Sequence, residues 1–278
     1  MRKRNSLLKI ISSAAALAAL GLSGARADSV SAAADALRGA DVVILGEVHD
    51  NAVHHLRQAA LLSALEPKAV VWEMLTAEQA AKLEPGTLAD AEQTESLFDW
   101  AASGWPEFTL YAPVFAAAKG ARQYGALVLR EQATEAMEQG AAAFFGATAS
   151  ARFGLDQPLP EEEQAVREAD QLDNHCNAMP QEMLPVLVDF QRLRDASLAA
   201  AADKALTETG GPVAVITGNG HARTDRGIAV YLAMARPDAD IRSLGQSEDG
   251  QISGVFDLVL DAQAAERPDP CLAFRKNG

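Results

Sequence analysis

The sequence predicts an α/β fold, an open and mostly parallel sheet with helices on both faces, and three observations predict it. Short apolar runs rich in valine and isoleucine recur at residues 41–45, 69–73 and 213–217, as strands buried on both faces require. Stretches of helical length and periodicity separate them. Two of the runs end in glycine-led polar segments, Gly46-Glu47-Val48-His49 and Gly218-Asn219-Gly220-His221, where a strand turns into the next element.

In order along the chain, residues 41–45 form the first strand and an amphipathic helix follows over about 51–65. Pro67 closes that helix, and residues 69–73 form the next strand of a βαβ unit. Residues 76–104 read as helical, interrupted at Glu84-Pro85-Gly86. A helix over about 111–124 leads to a third strand at 126–129. Two long helices follow from Glu161, divided near Met179-Pro180, and the second runs to about Leu206. A helical insertion therefore spans roughly residues 130–210. Beyond the strand at 213–217, residues 241–244 and 256–260 supply the last strands.

The N-terminus has the three parts of a secretory signal: Arg2, Lys3, Arg4 and Lys9, an apolar run over about 10–22, and Ala25-Arg26-Ala27 before the cut. The apolar run is short for a membrane span, and no cysteine stands near the cut to carry a lipid. The expectation is a signal peptide over residues 1–27, a single domain over 28–278, and a periplasmic product with no stable membrane anchor. Removing residues 1–27 takes away Arg2, Lys3, Arg4, Lys9 and Arg26 and no acid, moving the formal charge from −14 to −19. Such a surface disfavours nucleic acid as a partner. Cys176 and Cys271 are the two cysteines, read first as a disulfide that would stabilise by up to about 5 kcal/mol in the chain-entropy picture. Ligation of a metal or haem by Cys176, beside His175, is the alternative.

Chemistry is expected beyond the carboxyl ends of the strands. Two of the five histidines occupy matching G-x-x-H positions there, so His49 and His221 are expected to meet above the sheet with Glu47 between them. The three could bind a divalent metal or act as a general base with its partners. The H-E-x-x-H signature of zinc proteases is absent. Asp50 is one turn from His54 and could orient it, while His175 ends a charged helix. Phe98, Trp100, Trp105, Phe108, Tyr111 and Phe115 concentrate six aromatic rings in one stretch, either a pocket for a flat ligand or a small satellite core. Tyr111 could ligate ferric iron, and Arg223 and Arg226 could pair with ligand carboxylates or with neighbouring acids.

The segments GEVHDNAVHH, VVWEM, GWPEFTLYAPV, HCNAMP with QRLRDASLA, GNGHARTDRGIAVYL and RPDPCLAF, in this order, resemble the ChaN family of haem-binding uptake proteins in the Tiki-like superfamily. The resemblance implies an envelope protein of iron acquisition that binds haem between paired subunits, with a tyrosine on iron. Tyr111 lies both in a family block and in the aromatic stretch and is the tyrosine expected on iron, whereas Tyr231, inside the apolar run IAVYL, is read as core; Trp105, His54, His175, Arg223 and Arg226 complete the expected haem contacts. The wider superfamily implies an alternative, hydrolysis by Glu47, His49 and His221 with or without a metal. The chain departs from lipid-anchored members in lacking a cysteine at the cut.

Overall fold

The computed structural model describes residues 25–26, 29–269 and 271–272. Most of the expected signal segment therefore lies outside the described residues.

The strands are β1 (Ala25–Arg26), β2 (Val42–Leu45), β3 (Ala69–Trp72), β4 (Arg122–Gly125), β5 (Val213–Ile216), β6 (Ile241–Glu248) and β7 (Leu258–Ala262). They form one sheet in the order β1-β7-β6-β2-β5-β3-β4, and every ladder in it is parallel. A cut after Ala27 would remove β1 and leave β7 as an edge. The principal helices are α1 (Val30–Leu37), α2 (Ala52–Leu65), α3 (Phe108–Ala117), α4 (Glu161–Asn174), α5 (Leu184–Thr209) and α6 (Ile228–Ala235).

Side chains alternate across the pleat, and in β2 both sets are apolar and buried. Val43 and Leu45 join Val70, Trp72, Ala214 and Ile216 in one core, beneath α1, α2 and α3. Val42 and Ile44 join Val71, Val213 and Val215 in the other, beneath α5 and α6. This is why the central strands are apolar at every position and carry no polar alternation. The sheet is thereby the α/β arrangement that the sequence predicts.

β1 was not expected as a strand, β6 runs on to Glu248 where 241–244 was expected, and the third strand is displaced. The third lies at Arg122–Gly125 and not at 126–129. Register with β3 decides it, pairing Val71 with Tyr124 and Trp72 with Gly125. As the last strand of the sheet, β4 needs little apolar surface, and the apolar residues that follow it line a groove instead. The helix expected over 111–124 starts earlier, at Phe108, and ends at Ala117. Between β4 and β5 run three short helices, Arg130–Gln139, Ala141–Phe145 and Ala147–Phe153, and then α4 and α5. Cys176 and Cys271 form a disulfide with Cα atoms 5.5 Å apart, so Cys176 is not a free ligand for metal or haem.

Candidate functional site

The strand order places the site. From β2 the chain passes over β5 to reach β3, and from β5 it passes back over β2 to reach β6. Connections leave these two neighbours in opposite directions, which opens a crevice at their carboxyl ends. Both G-x-x-H segments enter that crevice, and they interlock. A Cβ on Gly46 would lie 2.6 Å from Asn219 Oδ1, and one on Gly218 would lie 2.9 Å from His49 Cε1. Each motif's glycine thus makes room for a side chain of the other. The Asn219 amide N–H donates to the Glu47 carbonyl at 2.8 Å, and the Asn219 side chain pairs with both backbone groups of Gln246, closing the crevice against β6.

Glu47 is buried beneath this crossing. Its Oε1 accepts from the Tyr111 hydroxyl at 2.9 Å and from His49 Nδ1 at 2.8 Å. His55 Nδ1 lies 3.2 Å from Oε2, an electrostatic contact that falls short of hydrogen-bond geometry. Burial would raise the Glu47 carboxyl, but the bonds and charges of His49 and His55 outweigh it and hold it below its ordinary value. The same pairing works on the imidazoles: burial opposes their charge, yet the Glu47 carboxylate beside them carries both His49 and His55 upward. His55 Nε2–H donates to the His49 carbonyl at 2.8 Å, and the Glu47 charge beside Nδ1 favours the imidazolium.

A second buried cluster stands beside the first. Glu73, just past β3, accepts through Oε2 from the Thr217 hydroxyl and the Gly218 N–H, both at 2.7 Å. Its Oε1 bonds Arg194 of α5 and lies 3.5 Å from His221 Nε2. Burial alone would raise this carboxyl; the charges of His221, Arg194 and His49 pull it down to about 2. His221 Nδ1 donates to Asp195 Oδ1 at 2.6 Å, and the Gln191 amide lies against the ring at 3.0 Å from Nδ1. Burial raises Asp195 above its usual range. Two carboxylate–imidazole pairs, Glu47–His49 and Asp195–His221, are therefore set side by side with Glu73 acting on both rings. His49 opens outward: its side chain is 37% exposed and meets the edge of Trp105 at 4.9 Å between centroids.

Trp105 belongs to an open groove of about 840 Å³, lined also by Phe98, Trp100, Leu127, Leu129 and Phe190. Residues 33–232 match the family described as haem-binding uptake, Tiki superfamily, ChaN. The chain belongs to the ChaN family. Among solved structures it is similar to ChaN of Campylobacter jejuni, described with haem bound cofacially, at 19% identity over 82% of this chain and 89% of that one, with a TM-score of 0.62. At that identity the likeness shows a shared ChaN fold. The type III effector HopBA1 is similar at 13% identity, over 84% of this chain and 92% of that one, with a TM-score of 0.46. No curated protein matches the chain.

For a ChaN-family protein, the expected residues distribute unevenly. Glu47 and His49 stand together, but the carboxylates facing His221 are Glu73 and Asp195. Glu47, His49 and His221 accordingly do not assemble as three ligands, and no group of three His, Cys, Asp or Glu side chains among the described residues is arranged to hold a metal ion. Tyr111, expected on iron, is 0% exposed and donates to Glu47; burial first, then the Glu47 charge, raises its phenol far above the ordinary value. A phenolate facing an open haem is not available from that position. His54 is buried, accepts from the Val48 N–H at 3.0 Å, and is driven by burial down to about 4, so it is a neutral structural residue. Asp50 does not orient it, since Asp50 pairs with Arg267. His175 caps α4, its Nδ1 bonding the Gln171 carbonyl at 2.7 Å. Arg223 pairs with Asp225 and Arg226 with Asp170, and the cavity these arginines line shares no residue with the Trp105 groove.

Sequence reasoning missed His55, Glu73, Gln191, Arg194 and Asp195 as site residues. For Glu73 a signal existed: an acid directly follows an apolar strand, as Glu47 nearly does after β2. For Arg194 and Asp195 the signal was weak, two charges within a long helix that the fold alone turns toward the sheet.

Proposed function

We propose that this protein is a haem-binding member of the ChaN family that works in the periplasm in haem or iron uptake or storage. The observation that carries the reading is the groove of about 840 Å³, which lies within the range of ligand pockets and is walled by aromatic and aliphatic side chains. A flat apolar macrocycle fits such a lining. Arg130 at the groove supplies a cation for a carboxylate edge, and bound haem would supply redox and ligand-binding chemistry. No described tyrosine is open to the iron: Tyr111, Tyr124 and Tyr231 are all buried. His49 is the ligand we assign, through Nε2, because Glu47 occupies Nδ1 and such a carboxylate partner fixes the tautomer and raises ligand basicity. A second copy of the chain covering the groove would shelter the macrocycle.

Titration of the purified protein with haemin, followed at the Soret band, tests this. Saturable binding is expected, with Tyr111→Phe retaining the spectrum and His49→Ala shifting or losing it. Loss of the spectrum in Tyr111→Phe with His49→Ala unaffected would return the iron to the tyrosine, and absence of any saturable binding would remove the haem reading.

The paired carboxylate–imidazole arrangement favours a second reading, a hydrolase. Glu47 fixes His49 with Nε2 free to take a proton from an attacking water, and Arg194 supplies a positive charge for a developing oxyanion. Because the pKa of His49 is raised, such a base would become active as pH rises through that raised value. An ester and peptide screen tests it: any activity found should collapse in Glu47→Gln, and activity unchanged in that variant would dismiss this mechanism.

A further inference from the structure

A second cavity, of about 190 Å³, lies between α4, α5 and the turn that follows β5. Neither the groove nor the proposed base uses it. Val188 is its one aliphatic side chain, whereas three guanidinium groups, Arg167, Arg223 and Arg226, stand in its wall with the Gln191 amide. It is too small for a macrocycle, and its lining is rich in donors.

The acids of the wall are already engaged. Asp195 accepts from His221 at 2.6 Å, and Asp170 lies 2.7 Å from Arg226 Nη1. The arginines are engaged only in part. Arg223 bonds Asp225 through Nε and Nη2, which leaves Nη1 without a partner among the described residues. Arg226 meets Asp170 through Nη1 and stands 3.9 Å from Asp225 through Nε, which leaves Nη2. Their side chains are 12% and 19% exposed, so these unused N–H groups have limited access to water. Arg167 is more deeply buried, 6% exposed, and is held by Glu163. The chain of Arg223 rests where Gly254 lacks a side chain, since a Cβ there would fall 2.4 Å from its Nε. These guanidiniums are thus fixed before any ligand arrives, which reduces the ordering cost of binding.

We propose that this cavity is a binding site for a carboxylate group. Arg223 and Arg226 present their unused N–H edges to its oxygens, a geometry that suits planar guanidinium. Gln191, which lies against the His221 ring, lines the same cavity beside them. The carboxylate belongs either to a short free organic acid or to a pendant chain of a larger ligand. The proposal requires neither the haem reading nor hydrolysis.

Calorimetric titrations separate the sources. The disulfide-bonded protein is titrated with succinate and with uncharged succinamide, and in a second arm with haemin and with haemin dimethyl ester. A free acid predicts that succinate binds saturably, that succinamide binds at least about tenfold more weakly, and that Arg226→Gln or Arg223→Gln loses about tenfold or more for succinate, as expected for charge-assisted hydrogen bonds. A pendant carboxylate predicts the same ratios for haemin over its ester, with succinate silent. Near-UV circular dichroism checks that the variants are folded. Two outcomes overturn the proposal: folded variants that bind every probe as the wild type does, or a wild-type protein that prefers neither charged probe over its neutral counterpart. The second needs no variant, and absence of haemin binding with succinate bound would remove the haem reading alone.

Discussion

The crevice above β2 and β5 and the groove beside it make opposite uses of burial. In the crevice, carboxylates and imidazoles face one another at close range, so their charges are compensated largely inside the protein. In the groove, aromatic and aliphatic surface is left open, with Leu129 exposed at its edge. Polar groups taken out of water must be paired or they cost several kcal/mol, whereas apolar surface left in water is a reserve that a ligand can cover. The crevice is therefore rigid by necessity and the groove adaptable. His49 joins them, bonded to Glu47 on one side and touching Trp105 on the other.

The sharpest way to break the crevice is to remove one charge from it. Arg194→Met leaves Glu73 buried with Thr217, Gly218 and His221 but without its closest cation. A broken buried pair costs about 3–5 kcal/mol; Arg194 is partly exposed, so we expect about 2–3 kcal/mol by urea unfolding at pH 7. Glu73→Gln in the same chain should recover much of the loss. The sign with pH follows from the depressed carboxyl. Glu73 at about 2 in the folded protein, against an ordinary value of 4.5, adds stability above the unfolded pKa that disappears as pH falls toward 2, and Arg194→Met should flatten that fall. Equal stability of Arg194→Met and wild type would mean that water, not Arg194, solvates Glu73.

The same contrast explains what was legible in the sequence. The strands at Val42–Leu45, Ala69–Trp72 and Val213–Ile216 are apolar on both faces, so composition announces them without knowledge of their neighbours. β4 is polar and defined by its pairing with β3, information that its own four residues do not contain. In the site, the duplicated glycine and histidine announced the crossing, because close approach of two backbones demands glycine locally. The carboxylates of the second cluster are set by topology. Glu73 comes from a strand that β5 separates from β2, and Asp195 from a helix far along the chain, so only the folded sheet reveals that they serve His221. Tyr111 was visible as an aromatic residue, but burial against Glu47 reverses the chemistry expected of it.

A smaller effect tests whether the crevice's histidines differ in role. His54 lies on α2 next to His55, yet burial lowers it to about 4 while its neighbour is raised. A histidine whose folded pKa is depressed stabilises above its unfolded value near 6.5, and that contribution is lost as pH falls to about 4. His49 and His55 contribute in the opposite sense, fully below 6.5, and do not change across this window. His54→Gln, which keeps an acceptor for the Val48 N–H, should therefore hold its melting temperature more nearly constant from pH 6.5 to 4.5 than the wild type does. Parallel profiles would show that His54 does not govern acid sensitivity.

The smallest effect on folding is expected in the groove, and there the contrast between the two regions is sharpest. Trp105 is only half-buried, its indole meets His49 at the edge, and no partner inside the site depends on it for charge compensation. Trp105→Ala should cost on the order of 1 kcal/mol by urea unfolding, the scale of one aromatic contact and partial burial. Haemin affinity should nonetheless fall about tenfold or more, because the removed ring is a wall of the cavity rather than a support of the fold. Arg194→Met would show the converse ranking, a large loss of stability with less change in haemin binding by the fraction that remains folded. If the two variants instead lose stability and haemin together in the same proportion, crevice and groove are one cooperative unit, and the division of labour drawn from their burial does not hold.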